Sequence, residues 1–418
     1  MRTQKIDVKK IWTVTLWIYI ICSTAFSYGE WKMLNTYSLY LFLGVSALTM
    51  ILKMKVKLDI SIIPIMLYGL LLLVGMIYTP TSISKVQEIV YKYCTMMVIV
   101  LCVIQHIDSI EDVKGIMFAY MIAGLVLAIY VYSLYGSEFW TLMREATENE
   151  YGYVDRLGGE LMNTNAIGLF TMVSALIAAY NVLFDRTSKI KTVICILVGI
   201  FCFIVSMSAA SKKSVLLLLV ACFCFWLYSS LGNRHLFKQL KYIFLLVASV
   251  LVLFWLLNTL PIFSGIASRM TSLLESSGGG GTVSEINRMK FIEQGITIWG
   301  ENPILGAGTA ASIYYFGVYT HNNIIEMLIN TGLIGLCLFY AAYPVTAYKY
   351  LAYAKSYKDH NMVSVLLFAL FVGVTICGFA LVYYYERYFM ILIAVVMTAI
   401  KIFDRARSSA TMSFIERH

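Results

Sequence analysis

The chain has 418 residues, of which 60% are hydrophobic and 13% charged, and its formal net charge is +9. This composition is too apolar for a soluble domain and is typical of an all-α, polytopic membrane protein. The basic residues form short clusters beside apolar runs rather than one basic face, so the charge indicates membrane orientation and argues against nucleic-acid binding.

Apolar runs of about twenty residues predict about 12 transmembrane helices in a single integral membrane domain that covers residues 1–418. The first run lacks a small-residue cleavage site, so we expect it to remain as the first span. All nine cysteines lie in or beside apolar runs, which favours packing over disulfide formation or metal binding. The predicted spans are approximately 11–28, 37–54, 58–77, 87–107, 113–134, 165–184, 192–209, 213–231, 240–261, 323–347, 362–383 and 387–403.

The distribution of Lys and Arg predicts the orientation of these spans. An even number of spans puts both termini on one side, and with that side cytoplasmic, the inner segments collect 21 of the 32 Lys and Arg residues. The connection at 107–113 is an exception because it carries Asp108, Glu111 and Asp112. On this topology His321 is the only one of the five histidines that faces outward.

Two large loops are predicted to face outward. The smaller loop, 135–163, is acidic but contains Arg156, and the larger loop, 261–322, leads to His321. A tight outward turn at 209–214 presents Lys212 and Lys213. In the larger loop, the four consecutive glycines at 278–281 predict a flexible hinge.

An amphipathic helix is predicted after this hinge, on or near the outer surface. The spacing of Thr282 and Glu285 fits a capping box at its start, and Arg288 is expected off its apolar face. Gly300 and Pro303 end the helix, and the glycines at 306 and 308 are expected to form a tight turn with an exposed backbone. The apolar residues recur at intervals of three or four: Ile286, Met289, Ile292, Ile296 and Trp299.

His321 is the candidate catalytic group of the outer face. A neutral imidazole at the membrane boundary can take a proton from a substrate hydroxyl near pH 7, whereas the alternative is a histidine that only caps the following helix. Outward cations suit a phosphate-bearing ligand, and arginine can bind it bidentately. The alternative for each cation is pairing with outer carboxylates or lipid headgroups. These cations are Arg156, Lys212, Lys213 and Arg288.

Further polar and aromatic residues are predicted near the same boundary. Glu386 and Arg387 are expected to pair with each other or with the site. The aromatic residues are typical of an interfacial belt, with sugar stacking as the alternative. They are Trp299, Tyr314, Tyr315, Tyr319, Tyr383, Tyr384 and Tyr385. No cluster of His, Cys or carboxylate side chains has metal-ligand spacing, so no metal and no cofactor are expected.

The second half of the chain resembles the O-antigen ligase and polymerase (Wzy-like) family. The pattern W-x-x-N-P-x-x-G-x-G, followed by H-N and an apolar helix with G-x-x-G, is carried by Trp299, Asn302, Pro303, Gly306, Gly308, His321, Asn322, Gly332 and Gly335. Upstream, the segment before a span is similar through Arg156, Gly159, Asn163 and Asn165. Arg288 matches the arginine ahead of the tryptophan. Two departures are a lysine at 212 or 213 in place of an arginine, and Thr164 in place of a proline.

This resemblance implies an inverting, metal-independent membrane glycosyltransferase with a GT-C-like fold, in a bacterial cytoplasmic membrane. The implied donor is a polyprenyl-pyrophosphate-linked oligosaccharide. His321 and Arg288 would be catalytic. Arg288 would also hold pyrophosphate, together with Arg156, Lys212 and Lys213. The residues that would support the site are Asn165, Trp299, Asn322, Glu386 and Arg387.

The sequence leaves the exact activity open. A polymerase that transfers the growing glycan to the next lipid-linked repeat unit is our leading hypothesis, and it implies membrane lipids, a flippase and a chain-length regulator as partners. A ligase that transfers finished glycan to a lipid A core or another acceptor is the sibling alternative. A transporter of lipid-linked sugars is an alternative of another class, and we would expect it to place charged or interrupted spans at the bilayer midplane.

Overall fold

The computed structural model describes residues 8–54, 56–144, 162–184, 188–231, 283–356 and 362–415, with single positions between 244 and 267. All regular secondary structure in these ranges is helical. The helices are α1 (Val8–Ala25), α2 (Lys32–Lys53), α3 (Ile63–Gly75), α4 (Ile83–Ile104), α5 (Ile110–Tyr135), α6 (Glu138–Arg144), α7 (Thr164–Phe184), α8 (Lys189–Ser208), α9 (Lys212–Leu231), α10 (Val283–Glu301), α11 (Ala311–Phe316), α12 (Asn323–Tyr340), α13 (Ala342–Ser356), α14 (Met362–Cys377) and α15 (Arg387–Ile415).

Six described helical segments are long and apolar enough to cross a membrane. They are α2, α4, α5, α7, α8 and Asn323–Lys355, which joins α12 and α13. Helices α1, α3, α9, α14 and α15 occupy further predicted spans, whereas the predicted span 240–261 lies almost entirely outside the described residues. The described part of the chain is therefore that of a helical, polytopic membrane protein, and the count of twelve spans stays a prediction.

The core forms where α7 packs against α5, α8 and α9, with α14 against α9. At one end of this bundle, ion pairs join connections that the sequence predicts to face the cytoplasm. Lys9 Nζ lies 2.8 Å from Asp112 Oδ2, and Lys57 pairs with Asp108. Lysines of neighbouring segments thus match carboxylates of the acidic connection at 107–113, which explains its departure from the charge pattern.

The other end of the bundle is organised by a break in α12. Gly332 has φ 62° and ψ −163°, which is not helical and is a region of backbone space that is essentially open to glycine alone. A break inside an apolar span leaves backbone N–H and C=O groups that lipid cannot satisfy. Another part of the chain must therefore supply their hydrogen-bond partners.

Segment 303–308 fills this break, and we call the pairing the interlock. It supplies partners to backbone groups on both sides of Gly332, through Ala307 N to Ile329 O (2.7 Å), Gly308 N to Asn330 O (3.2 Å), Leu333 N to Pro303 O (2.9 Å) and Ile334 N to Ile304 O (3.2 Å). Gly306 lies so close to the break that a Cβ atom there would sit 2.6 Å from the Gly332 nitrogen. The expectation of an exposed turn was wrong, because residues 306–310 are buried.

Candidate functional site

His321 lies in a turn at the start of α12, beside the interlock. Its φ is 59°, an uncommon conformation for a residue with a side chain, and its ring is partly buried. Asn322, not His321, caps the helix, because the Asn322 Oδ1 atom accepts hydrogen bonds from the backbone nitrogens of Ile324 (3.0 Å) and Ile325 (3.2 Å). The His321 ring is therefore not needed as a helix cap.

The surroundings of His321 keep its ring neutral. Burial lowers the pKa of His321 to about 4, and the positive charges of Arg288 and Lys213 lower it further in the same direction. These two cations come from α10 and from the start of α9, so charges from two distant parts of the sequence act on His321. We call His321, Arg288 and Lys213 the site cluster.

Arg288 reaches the cluster from the packed face of α10. Ile292, Gly295 and Trp299 follow it at helical spacing, and Gly295 is buried so closely against Ile325 of α12 that a Cβ atom would collide. The expectation that Arg288 lies off the apolar face was wrong, because α10 packs through this side instead. The side that carries Ile286, Met289 and Ile296 is exposed, and Thr282 lies outside the described residues.

The structure distinguishes Lys212 from Lys213, which both follow the turn before α9. Lys213 is buried, with 5% of its surface exposed, and acts on His321, whereas Lys212 is half-buried. The turn enters the bundle because Ala210 adopts φ 45° and Ser211 is fully buried. Ser211 Oγ lies 3.2 Å from Asn165 Oδ1, so Asn165 supports the turn that carries Lys213.

Tyr319 connects the cluster to the smaller outer loop. Its ring centroid lies 4.3 Å from that of His321, and Asn163 Nδ2 lies 3.5 Å from its hydroxyl oxygen. Asn163 is at the described end of the smaller loop, and Arg156 lies outside the described residues. The ring of Tyr319 therefore forms one wall of the space around His321.

Glu386 and Arg387 lie at the same end of the bundle. Glu386 acts electrostatically on Tyr28, Tyr319 and Tyr385, so it borders the aromatic wall beside His321. Protein that crowds around Glu386 raises the pKa of its carboxyl group, although part of the side chain is open to solvent, while Lys92 and Arg387 lower it. Glu386 and Arg387 therefore interact electrostatically with each other, and they lie at the edge of the site.

Trp299 belongs to the interlock. Its Nε1 atom donates to the carbonyl of Pro303 at 2.9 Å, the same carbonyl that accepts from Leu333. Tyr383 and Tyr384 are buried, and their backbone nitrogens donate to Asn323 Oδ1 at 2.9 and 3.1 Å. The expected membrane belt was therefore wrong for these two tyrosines, because they pack inside the bundle.

Sequence reasoning missed Glu326, which is buried in α12 one turn after Asn322. Its carboxylate accepts hydrogen bonds from Ser312, Thr320 and Asn330. The available signal was an acidic residue inside an apolar span, which is rare and commonly functional. Within the described ranges, no group of three or more His, Cys, Asp or Glu side chains is placed to hold a metal ion.

Residues 194–340 match the family model described as O-antigen ligase. These residues include Lys213, Arg288 and His321, together with the whole interlock. A search of curated proteins found no match to the chain.

Proposed function

Because residues 194–340 match the family model described as O-antigen ligase, we propose that the protein is a membrane glycosyltransferase acting on a lipid-linked glycan. The family supports lipid-linked glycan transfer as the general function. In our proposal the donor carries a polyprenyl pyrophosphate, and the acceptor is the next lipid-linked repeat unit. The site would face outward from a bacterial cytoplasmic membrane, where a flippase supplies the substrate and a chain-length regulator limits the product.

The convergence of His321, Arg288 and Lys213 carries this proposal. A pyrophosphate leaving group gains negative charge as its bond to the sugar breaks, and fixed cations in a site shielded from water stabilise that charge strongly. Arg288 can bind two phosphate oxygens at once, whereas Lys213 acts as a point charge. The arrangement therefore favours departure of pyrophosphate without a metal ion.

His321 would act on the acceptor. In an inverting displacement, an acceptor hydroxyl attacks the anomeric carbon, the bond from that carbon to the pyrophosphate oxygen breaks, and the hydroxyl proton passes to the neutral ring of His321. A ring with pKa about 4 is a weak base in the resting protein. A bound pyrophosphate offsets the positive charges of Arg288 and Lys213, which raises the pKa of His321 and makes it a stronger base once the donor is present.

A transporter of lipid-linked sugars is less well supported, despite the interrupted span at Gly332. Transporters use broken helices to expose backbone groups and charges to a substrate cavity near the midplane. Here segment 303–308 occupies the break, and Glu326 is bonded to neighbouring protein groups. The break therefore serves to hold the site rather than to open a passage.

Two sibling activities share this chemistry and differ in the acceptor. We favour a polymerase, while the description of the matching family as O-antigen ligase favours transfer to a different acceptor such as a lipid A core. Purified protein in lipid nanodiscs, given lipid-linked repeat units and a chelator of divalent metals, should produce a ladder of longer glycans. Transfer only when a lipid A core is added would identify a ligase, and no transfer to either acceptor would refute the proposal.

Site variants test the assigned roles in the same assay. His321→Ala and Arg288→Ala should each lower the transfer rate by at least about 10²-fold, as expected for loss of a base or of a charge-stabilising group. Tyr314→Ala is the matched control because Tyr314 is exposed on the neighbouring α11. Wild-type rates in both site variants would refute the assignment even if glycan transfer is observed.

A further inference from the structure

Glu326 is the carboxylate that joins three parts of the chain around His321. It is 2% exposed and lies one turn into α12. The backbone nitrogen of Thr320 donates to Glu326 Oε2 (2.8 Å), and the Thr320 hydroxyl oxygen lies 2.9 Å from the same carboxylate oxygen. On the other oxygen, Oε1, the hydroxyl of Ser312 donates at 2.6 Å and Asn330 Nδ2 lies at 3.4 Å.

These bonds fix both sides of the turn that carries His321. The residue before it, Thr320, is held by Glu326, and the residue after it, Asn322, caps α12. The Thr320 hydroxyl also lies 2.9 Å from the carbonyl oxygen of Asn322, so its single proton is shared between this carbonyl and Glu326 Oε2. His321 keeps its positive φ because its two neighbours are held in this way, since such a conformation persists only where the surrounding structure imposes it.

We propose that Glu326 is a positioning residue, which holds the turn 320–322 so that the partly buried His321 ring stays where the positive charges of Arg288 and Lys213 act on it. This inference rests on the proposed function for its kinetic consequence, but not for the geometry that it predicts. Glu326 acts through Thr320 and does not itself touch the reacting atoms. Glu326 adds to the proposed site a group that holds the proposed base, His321, in a backbone conformation that is otherwise unfavourable.

The chemistry of the contacts requires a carboxylate at this position. An ionised carboxylate only accepts hydrogen bonds, and all its partners here can donate. A glutamine has nearly the same shape but turns an NH₂ group toward one pair of donors, which leaves a buried polar contact unsatisfied. Glu326→Gln should therefore loosen one side of the turn without opening a cavity.

Two readouts separate positioning from a purely structural role. Among the described residues, Arg288 of α10 and Lys213 of α9 act electrostatically on His321. Tyr319 in its own turn packs near the ring, and Glu386 acts on Tyr319. If the turn loosens, the ring becomes hydrated and its pKa rises from about 4 toward the ordinary value of about 6.5. If Glu326 acted only by its negative charge, the substitution would leave the pKa of His321 unchanged or lower it.

The first experiment measures the His321 ring without any substrate. Diethyl pyrocarbonate modifies histidine in its neutral form and not in its protonated form. The rate at which the adduct forms on His321, followed by mass spectrometry between pH 3.5 and 7.5, therefore reports the pKa of this ring. We expect the midpoint to move up by at least one pH unit in Glu326→Gln. Thr331→Val is the matched control, because Thr331 is buried in the same helix and bonds to Met327 O rather than to the turn. A midpoint that is unchanged or lower in Glu326→Gln would overturn the inference.

The second experiment uses the glycan-transfer assay. Glu326→Gln should lower kcat by about 10²-fold, the scale expected when a reacting group is displaced by about 1 Å, with a smaller change in KM. Thr320→Val removes one of the two Thr320 bonds and should shift both readouts in the same direction by less, which keeps the test available if Glu326→Gln does not fold. No transfer by the wild-type protein would refute the proposed function, whereas the modification midpoint would still test Glu326.

Discussion

Replacement of Gly332 by alanine tests whether the interlock holds the site end of the protein together. At φ 62° and ψ −163°, an added Cβ atom is strained by the backbone conformation itself. The Cβ atom would also collide with the carbonyl group of Ile304, so segment 303–308 must move away from the break. The substitution therefore perturbs both the local conformation and the hydrogen bonds that cross it.

The expected cost follows from these two effects. A residue other than glycine in this region of backbone space costs about 1–3 kcal/mol. Displacement of segment 303–308 weakens at least the bonds from Leu333 to Pro303 and from Ile334 to Ile304, each worth about 0.5–1.5 kcal/mol. We therefore expect Gly332→Ala to lower the free energy of unfolding by about 2–6 kcal/mol.

Thermal unfolding in detergent, followed by the loss of monodisperse protein on size-exclusion chromatography, measures this effect. Gly300→Ala is the matched control, because Gly300 lies in the last turn of α10 with open space around it. Alanine is the better helix former, so that variant should be neutral or stabilised by up to about 1 kcal/mol. Equal melting temperatures for Gly332→Ala and the wild-type protein would refute the role of the interlock.

Three further predictions concern charge. Lys213→Ala should lower kcat/KM for the lipid-linked donor by about 10²-fold or more, whereas Lys212→Ala should change it by less than about threefold; equal losses would contradict the selection of Lys213. His321 must be neutral to accept a proton, so kcat/KM should persist from neutral pH down to about pH 4 and fall below it. The bound donor raises the pKa of His321, so kcat should begin to fall at a higher pH than kcat/KM. If kcat and kcat/KM fell at the same pH, the bound donor would not raise the pKa of His321. Lys401 Nζ lies 2.7 Å from the buried carboxylate of Asp59, so Lys401→Ala should lower the free energy of unfolding by about 1.5–3 kcal/mol in chemical denaturation, and no change would show that water replaces the lysine.

Sequence reasoning selected candidate site residues but could not predict how they are arranged. His321 and Arg288 were selected because they interrupt an apolar sequence on the predicted outer side, and the structure brings them together. The face of α10 could not be chosen correctly, because apolar residues lie on two sides of that helix and only one side meets α12. A helical pattern indicates that a face is apolar, but it does not indicate whether protein or lipid covers it.

The role of Glu326 was also hidden from the sequence. Its partners Ser312 and Thr320 are 14 and 6 residues away, and nothing in residue spacing predicts that they converge on one carboxylate. Similarly, the glycines at 306, 308 and 332 indicate unusual backbone conformations. They do not indicate that segment 303–308 forms hydrogen bonds with the backbone on both sides of Gly332. Hydrogen bonds between separate segments depend on how the chain packs, which local pattern does not specify.

The sequence by itself determined that this is a helical membrane protein whose polar chemistry gathers in the segment before α12, because the cost of placing polar groups in lipid is recorded in hydropathy and in the positions of Lys and Arg. The tertiary structure decided which groups meet. It brings Lys213 and Arg288 to His321, fills the break at Gly332 with segment 303–308, and holds the His321 turn through Glu326. These choices depend on contacts between residues far apart in the chain, and buried backbone and carboxylate groups make them specific because each requires a partner.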